Sequence, residues 1–153
     1  MAVPLFVAQL VTTLFMTGLI WFVQIVHYPL FAEIGPYQLT RYENLHATRT
    51  SWVVFPPMLI ELLTTFAALY PPLRPAFLTS HQAIALAALI LIIWITTAIG
   101  HVPLHTKIGH SEAIRSRQSD VPLISLLVRL NWLRTLAWTT RTIILTTALL
   151  HTL

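Results

Sequence analysis

The chain has no cysteine, which excludes disulfides, thiolate metal sites, iron-sulfur clusters and thiol redox chemistry at once. Charge is nearly as scarce: 9% of residues are Asp, Glu, Lys or Arg, against about a quarter in an average soluble domain. The four glycines are scattered at positions 18, 35, 100 and 109, so no glycine-rich phosphate loop is present, and neither is a His-Glu-x-x-His zinc motif. Asp120 stands alone in a polar stretch, which leaves Ser-His-Asp hydrolysis without its carboxylate. Bases outnumber acids nine to five, but a third of those bases sit within the last apolar segment. No exposed basic stripe remains for a nucleic acid.

Apolar sequence is what the chain has in excess. Its 153 residues are enough for one compact domain, 56% of them are hydrophobic, and the mean hydropathy is +0.75. Four stretches, near 4 to 27, 51 to 70, 81 to 103 and 121 to 150, meet the roughly 20 residues needed to cross a bilayer core of about 30 Å. The expected fold is all-α, a single integral membrane domain over 1–153. It is a transmembrane four-helix bundle of antiparallel up-down topology, with helices at about 4–27, 37–70, 81–105 and 121–150. The first stretch lacks a basic leader, is too long for a signal peptide and ends in the polar-aromatic run Trp21 to Tyr28, so it is expected to remain as a helix.

The connections sharpen this picture. Tyr70-Pro71-Pro72-Leu73-Arg74-Pro75 is short, stiff and helix-breaking, which pairs the second helix with the third. Tyr42, His46, Arg49 and Val53 recur at helical spacing and extend the second helix beyond the membrane, where Pro56-Pro57 is expected to kink it. Gly109 to Asp120 reads as a solvated loop or short surface helix. Arg41, Arg49, Lys107, Arg115 and Arg117 fall on one side of four spans and Arg74 on the other, so the positive-inside rule puts the first side in the cytoplasm. Both termini then lie outside, in what is expected to be a bacterial inner membrane.

Each helix carries a polar stripe at helical spacing. Thr13, Thr17, Trp21, Gln24 and His27 form the first; His46, Arg49, Pro57 and Glu61 the second; Trp94, Thr97, His101 and His105 the third; Asn131, Arg134, Trp138 and Arg141 the fourth. In lipid such faces turn inward, because an ionised side chain near the bilayer centre costs at least about 2.5 to 3.5 kcal/mol. Counted from the cytoplasmic end, Glu61 and Arg134 reach similar depth and are expected to form an ion pair. That pair reads equally as a registry device locking two helices or as part of a pathway. Arg129 lies shallower and Arg141 deeper.

His27 ends the first helix, His46 precedes the membrane part of the second, and His101 and His105 end the third one turn apart. All four are expected at the cytoplasmic end, where they are candidate ligands for a metal such as iron or copper, or for haem b. Singly, each suits an interfacial histidine bonded to water or headgroups; His81, His110 and His151 read as solvated. If haem is present, Arg49, Arg129 or Arg134 supplies the charge-assisted hydrogen bonds that its propionates need.

Several runs carry a resemblance: Trp21-Phe22-Val23-Gln24-Ile25-Val26-His27-Tyr28-Pro29, Tyr42 through His46 and Arg49 to Pro56-Pro57-Met58 and Glu61, Val102-Pro103-Leu104-His105, and Asn131-Trp132-Leu133-Arg134-Thr135. They resemble a family of small bacterial four-helix integral membrane proteins. More distantly they are similar to the anthrone oxygenase-like membrane family, in which a Val-Pro-Leu-Asn segment ends the third helix and a Trp-Arg signature opens the fourth. His105 stands where that pattern has Asn, which argues against an anthrone substrate and for a ligand role at this position. The resemblance implies the fold and oxidoreductase chemistry on a hydrophobic, quinone-like molecule.

Three functions follow as expectations. The first is a membrane redox protein that binds haem b or a transition metal through the histidines and transfers electrons or oxidises a lipophilic substrate. The second is a cofactor-free transporter or proton relay using Glu61, the arginines and the histidines. The third is a structural accessory subunit whose polar stripes specify helix pairing, with a homodimer as the expected assembly. The first is preferred, since four histidines converge at one end while only one acid lies within the membrane and no internal repeat of the kind common in transporters is seen.

Overall fold

The computed structural model describes residues 1–110 and 121–152, which form helices and short connections without a strand among the described residues. The helices are α1 (Ala2–Glu33), α2 (Pro36–Ala67), α3 (Ser80–Gly109) and α4 (Val121–Leu150). Each packs on its neighbour in sequence and α4 closes against α1, giving a four-membered ring of helices. The loop or surface helix expected over Gly109 to Asp120 lies, beyond His110, outside the described residues.

Three helices, α1, α2 and α3, are long and apolar enough to cross a membrane. The fourth has the length, 30 residues, but is diluted by Arg129, Arg134, Arg141, Asn131 and its threonines. Most of that polarity is turned inward: Asn131, Arg134, Thr135 and Arg141 are buried, while Leu133, Leu136 and Ile143 are exposed. The many threonines also carry their own solution. Thr12, Thr64, Thr97, Thr139 and Thr147, among others, donate their hydroxyl to the carbonyl four residues back, so the group is satisfied inside its own helix.

Helix boundaries follow local chemistry. Thr79 caps α3: its Oγ1 accepts from the Gln82 backbone N–H, and Gln82 Oε1 accepts from the Thr79 N–H at 2.9 Å. Pro36 opens α2 at a position where a missing N–H costs nothing. As expected, α2 extends well before residue 51; it also runs through Pro56 and Pro57 as one assigned helix.

Along its length the bundle alternates apolar and polar layers. Phe6, Leu78, Leu86 and Leu145 fill one apolar layer, Met16, Ile20, Met58, Ile90 and Ile93 the next, and Phe31, Leu39, Leu104, Ile108 and Leu127 the third. Between the first two lies a clasp to which all four helices contribute. Glu61 Oε1 accepts from the Thr13 hydroxyl at 2.5 Å and from Arg141 Nη2 at 3.4 Å, and Oε2 accepts from Trp138 Nε1 at 2.9 Å. Arg141 donates further to Thr65 Oγ1 at 3.0 Å and to the Leu86 carbonyl at 2.7 Å, while Gln9 donates to Thr65 at 2.8 Å. Glu61 and Arg141 are both fully buried.

The ion pair expected between Glu61 and Arg134 is therefore made with Arg141 instead. Counting the depth of Glu61 from residue 51 placed it too shallow: α2 begins at Pro36, so Glu61 lies roughly seven turns in. On α4, from Val121, Arg134 lies fewer than about four turns in and Arg141 between roughly five and six.

Removing Arg141 leaves a buried carboxylate without its cation. Arg141→Met is expected to cost about 3 to 5 kcal/mol in detergent unfolding, whereas Glu61→Leu combined with Arg141→Met recovers most of the loss. Additive losses in the double variant would show that the two side chains are not coupled.

Candidate functional site

The end of the bundle formed by the close of α1 and α3 and the start of α2 and α4 collects the histidines. Two local distortions set their positions. Residues Val23–His27 and Thr96–His101 are π-helical, so the Tyr28 N–H donates to the Val23 carbonyl and the Val102 N–H to the Thr97 carbonyl, one residue further back than in an α-helix. Both segments run into a proline, Pro29 and Pro103, which lacks an N–H and crowds the carbonyl four residues back. The sequence behind this is a local echo, His27-Tyr28-Pro29-Leu30 in α1 and His101-Val102-Pro103-Leu104 in α3. A π-turn widens the helix by one residue and recurs at functional sites.

The geometry falls into two halves joined by Tyr28. In the first, His27 Nε2 lies 3.0 Å from His46 Nδ1, and Thr50 Oγ1 lies 3.0 Å from the same His46 nitrogen. The His46 ring centroid is 5.5 Å from that of His105. His105 Nδ1 is 2.5 Å from Glu43 Oε1, and His105 Nε2 is 3.0 Å from the Tyr28 hydroxyl. A carboxylate only accepts, so Nδ1 carries the proton, and in neutral His105 the free Nε2 accepts from Tyr28. Glu43 is completely buried, and its Oε2 has no hydrogen-bond partner. Phe31 and Tyr42 wall this half, with Phe31 edge-on to His27 and to His46.

The second half faces α4. Tyr28 and His101 are stacked at 6.5 Å between centroids, and His101 Nδ1 lies 3.0 Å from the Thr96 carbonyl, leaving Nε2 buried without a partner. Asn131 donates to Gln24 Oε1 at 2.9 Å and accepts a long 3.4 Å bond from Arg134 Nη1. Gln24 in turn donates to the Val128 carbonyl. Arg134 lies beside Tyr28 and His101, over the Trp138 ring at 5.1 Å from its centroid.

Of the expected site residues, His27, His46 and His105 are brought together and His101 and Arg134 adjoin them. The one-turn pair His101 and His105 does not face one ligand, because Tyr28 stacks on the first and bonds to the second. Arg49 and Arg129 are exposed, with no hydrogen bond or ion pair to the cluster. Among the described residues no three His, Asp or Glu side chains are arranged about one point that could hold a metal ion. Glu43 and Tyr28 carry the site and were not among the expected residues. The signal for Glu43 was its place three residues before His46, on the same face of α2. Gly109 permits the contact between helices here, since a Cβ would stand 2.7 Å from Asn44 Oδ1 and 3.7 Å from Glu43 Cγ.

Comparison with known proteins finds no match: no family model, no curated protein and no solved structure is similar to the chain.

The hydrogen-bond assignment is checked by nitrogen-15 NMR of labelled histidine. His105 is expected as the tautomer protonated at Nδ1, with a strongly downfield proton that disappears in Glu43→Gln. An Nε2-protonated His105 would reverse the order of donors in the chain.

Proposed function

We propose that the protein is a membrane redox protein acting on a lipophilic, quinone-like molecule, and that the Glu43–His105–Tyr28 chain handles the protons of that reaction. The observation that carries this reading is a carboxylate, an imidazole and a phenol in unbroken hydrogen-bond contact inside membrane-length helices. Interconversion of a hydroquinone and a quinone moves two electrons and two protons. The Tyr28 hydroxyl, backed by His105 and then Glu43, suits passage of a proton to or from a hydroquinone oxygen, and the electrons leave to a separate acceptor.

A second reading assigns that acceptor to the cluster, as haem b or as an iron or copper ion held by His27, His46 and His105. The 3.0 Å separation of His27 Nε2 and His46 Nδ1 favours a single ion. Two ligands at about 2.1 Å from an ion, set at a right angle, span about 3.0 Å, whereas a porphyrin plane does not fit between touching rings. The third ligand then requires a side-chain rotation. Without any cofactor, the same chain of groups serves as a proton relay.

This reading takes the bundle as up-down, embedded in a bacterial inner membrane with both termini outside, so that the cluster lies at the cytoplasmic end. Pairing with a second copy and kinship with the four-helix family named above belong to the same proposal.

The test is oxidation of duroquinol by the protein in nanodiscs, with ferricyanide as the electron acceptor. Rates above the protein-free background are expected, falling at least tenfold in Glu43→Gln and in Tyr28→Phe. Rates unchanged in both variants would refute the relay. Metal analysis and a visible spectrum decide the second reading. About one iron or copper per chain without a Soret band supports the ion, a Soret band supports haem b, and a colourless, metal-free protein removes both.

A further inference from the structure

Arg134 is the least explained charge in the molecule. It is 6% exposed, and among the described residues no carboxylate lies within ion-pair distance. Its partners are neutral, Asn131 through a long bond of 3.4 Å and the neighbouring Tyr28 hydroxyl, and Nε is buried without an acceptor. Arg141, two turns further along the same helix, shows what this chain provides when a buried guanidinium is structural: a carboxylate, a threonine hydroxyl and a backbone carbonyl. Arg134 has none of these. Burying an unpaired cation is expensive, so a site that keeps one is incomplete until an acceptor arrives.

A second group beside it is unsatisfied in the same way. His101 is 2% exposed, its Nδ1 is engaged by the Thr96 carbonyl, and Nε2 has no partner. Because a carbonyl only accepts, Nδ1 carries the proton, and Nε2 of neutral His101 is left as an acceptor. The guanidinium donates in any state. Two unmet polar groups thus lie next to the Tyr28 hydroxyl, at the inner end of the proton chain, with the face of Trp138 under the guanidinium. Asn131 donates to Gln24 and stands between Arg134 and His101, a neutral neighbour to both.

We propose that Arg134 is the receptor for the carbonyl or phenolate oxygen of a lipophilic quinone-type ligand, with Tyr28 and His101 beside it. The inference rests on the redox reading above and names how its substrate is bound. The chemistry is complementary at each point. A guanidinium stabilises the negative charge left on a hydroquinone oxygen as its proton passes to the adjacent Tyr28, the first group of the path to Glu43. Tyr28 and His101 lie in helices long and apolar enough to cross a membrane, so the proposed ligand enters from lipid.

The experiment is equilibrium binding of menadione to the detergent-solubilised full chain, followed by quenching of tryptophan fluorescence. Arg134→Met is expected to weaken binding at least tenfold, and Arg129→Gln, an exposed position on the same helix, to leave it unchanged. Because no counter-ion is lost, the thermal midpoint of ligand-free Arg134→Met is expected to match or exceed that of the wild type. A structural role for Arg134 predicts a lower midpoint instead, which would overturn the proposal.

A comparison on the unaltered protein tests the same proposal without a substitution. 2-Methylnaphthalene has the shape of menadione without its oxygens and is expected to bind at least tenfold more weakly. Equal binding of the two, or menadione binding indifferent to Arg134, refutes the oxygen receptor. So does chloride that displaces menadione competitively at millimolar concentration, which would assign the site to a small inorganic anion. These readouts need no turnover, so they can fail while the proton chain at Glu43 stands, and the duroquinol assay can fail while binding stands.

Discussion

A hydrocarbon solvent offers nothing to a polar group, and that constraint arranges everything else in this protein. Each hydroxyl, amide and charge that the helices carry into the apolar zone has to be met by another part of the chain. Threonines meet the demand locally, through their own helix backbone, and so can occupy outward positions without cost to the fold. Glutamine, glutamate and arginine cannot, and they are gathered into layers where four helices supply partners together. The bundle is held in register by those layers, since apolar packing between helices differs little in energy from packing against lipid tails.

The two polar regions use the same residue types to different ends. Around Glu61 the donors and acceptors are nearly matched: both carboxylate oxygens are bonded, and the guanidinium of Arg141 is left with only its Nε unmet. At the histidine end the matching is partial. Glu43 Oε2, His101 Nε2 and Arg134 Nε are each buried and open, while the bonds that do form run in a line from Glu43 to Tyr28. Under the proposed function those open atoms matter, because groups that exchange protons or receive a polar ligand must be able to change partners.

Much of this was legible in the sequence. Apolar run length located the four helices, although α1 and α2 reach well beyond their runs, and helix-end position brought His27, His46 and His105 to one place. The choice between Arg134 and Arg141 was not legible, because two cations on one face of one helix differ only in depth, and depth depends on where the partner helix begins. The early start of α2 at Pro36 was expected, but the depth of Glu61 was counted from the apolar run fifteen residues later. Glu43 was hidden by its setting among Arg41, Tyr42 and Asn44, where composition reads as solvated surface, yet the packing of Gly109 and Phe31 closes over that face. The echo of His-x-Pro-Leu stands in the sequence but went unread there, because its meaning lies in the backbone, where a π-turn before each proline shifts the ladder by one residue.

That shift makes the protein a gauge of its own length. A π-turn holds one residue more than the α-helix it interrupts, so the stretch between Thr13 and Tyr28 contains a surplus residue, as does the stretch between Leu86 and His101. Straightening either turn would rotate one part of the rod against the other by about 100°. Either the clasp around Glu61 or the histidine end would then face lipid. The two ends of the bundle are thus phased against each other through an irregularity in the backbone, and single-residue insertions or deletions between them are filtered by the membrane itself.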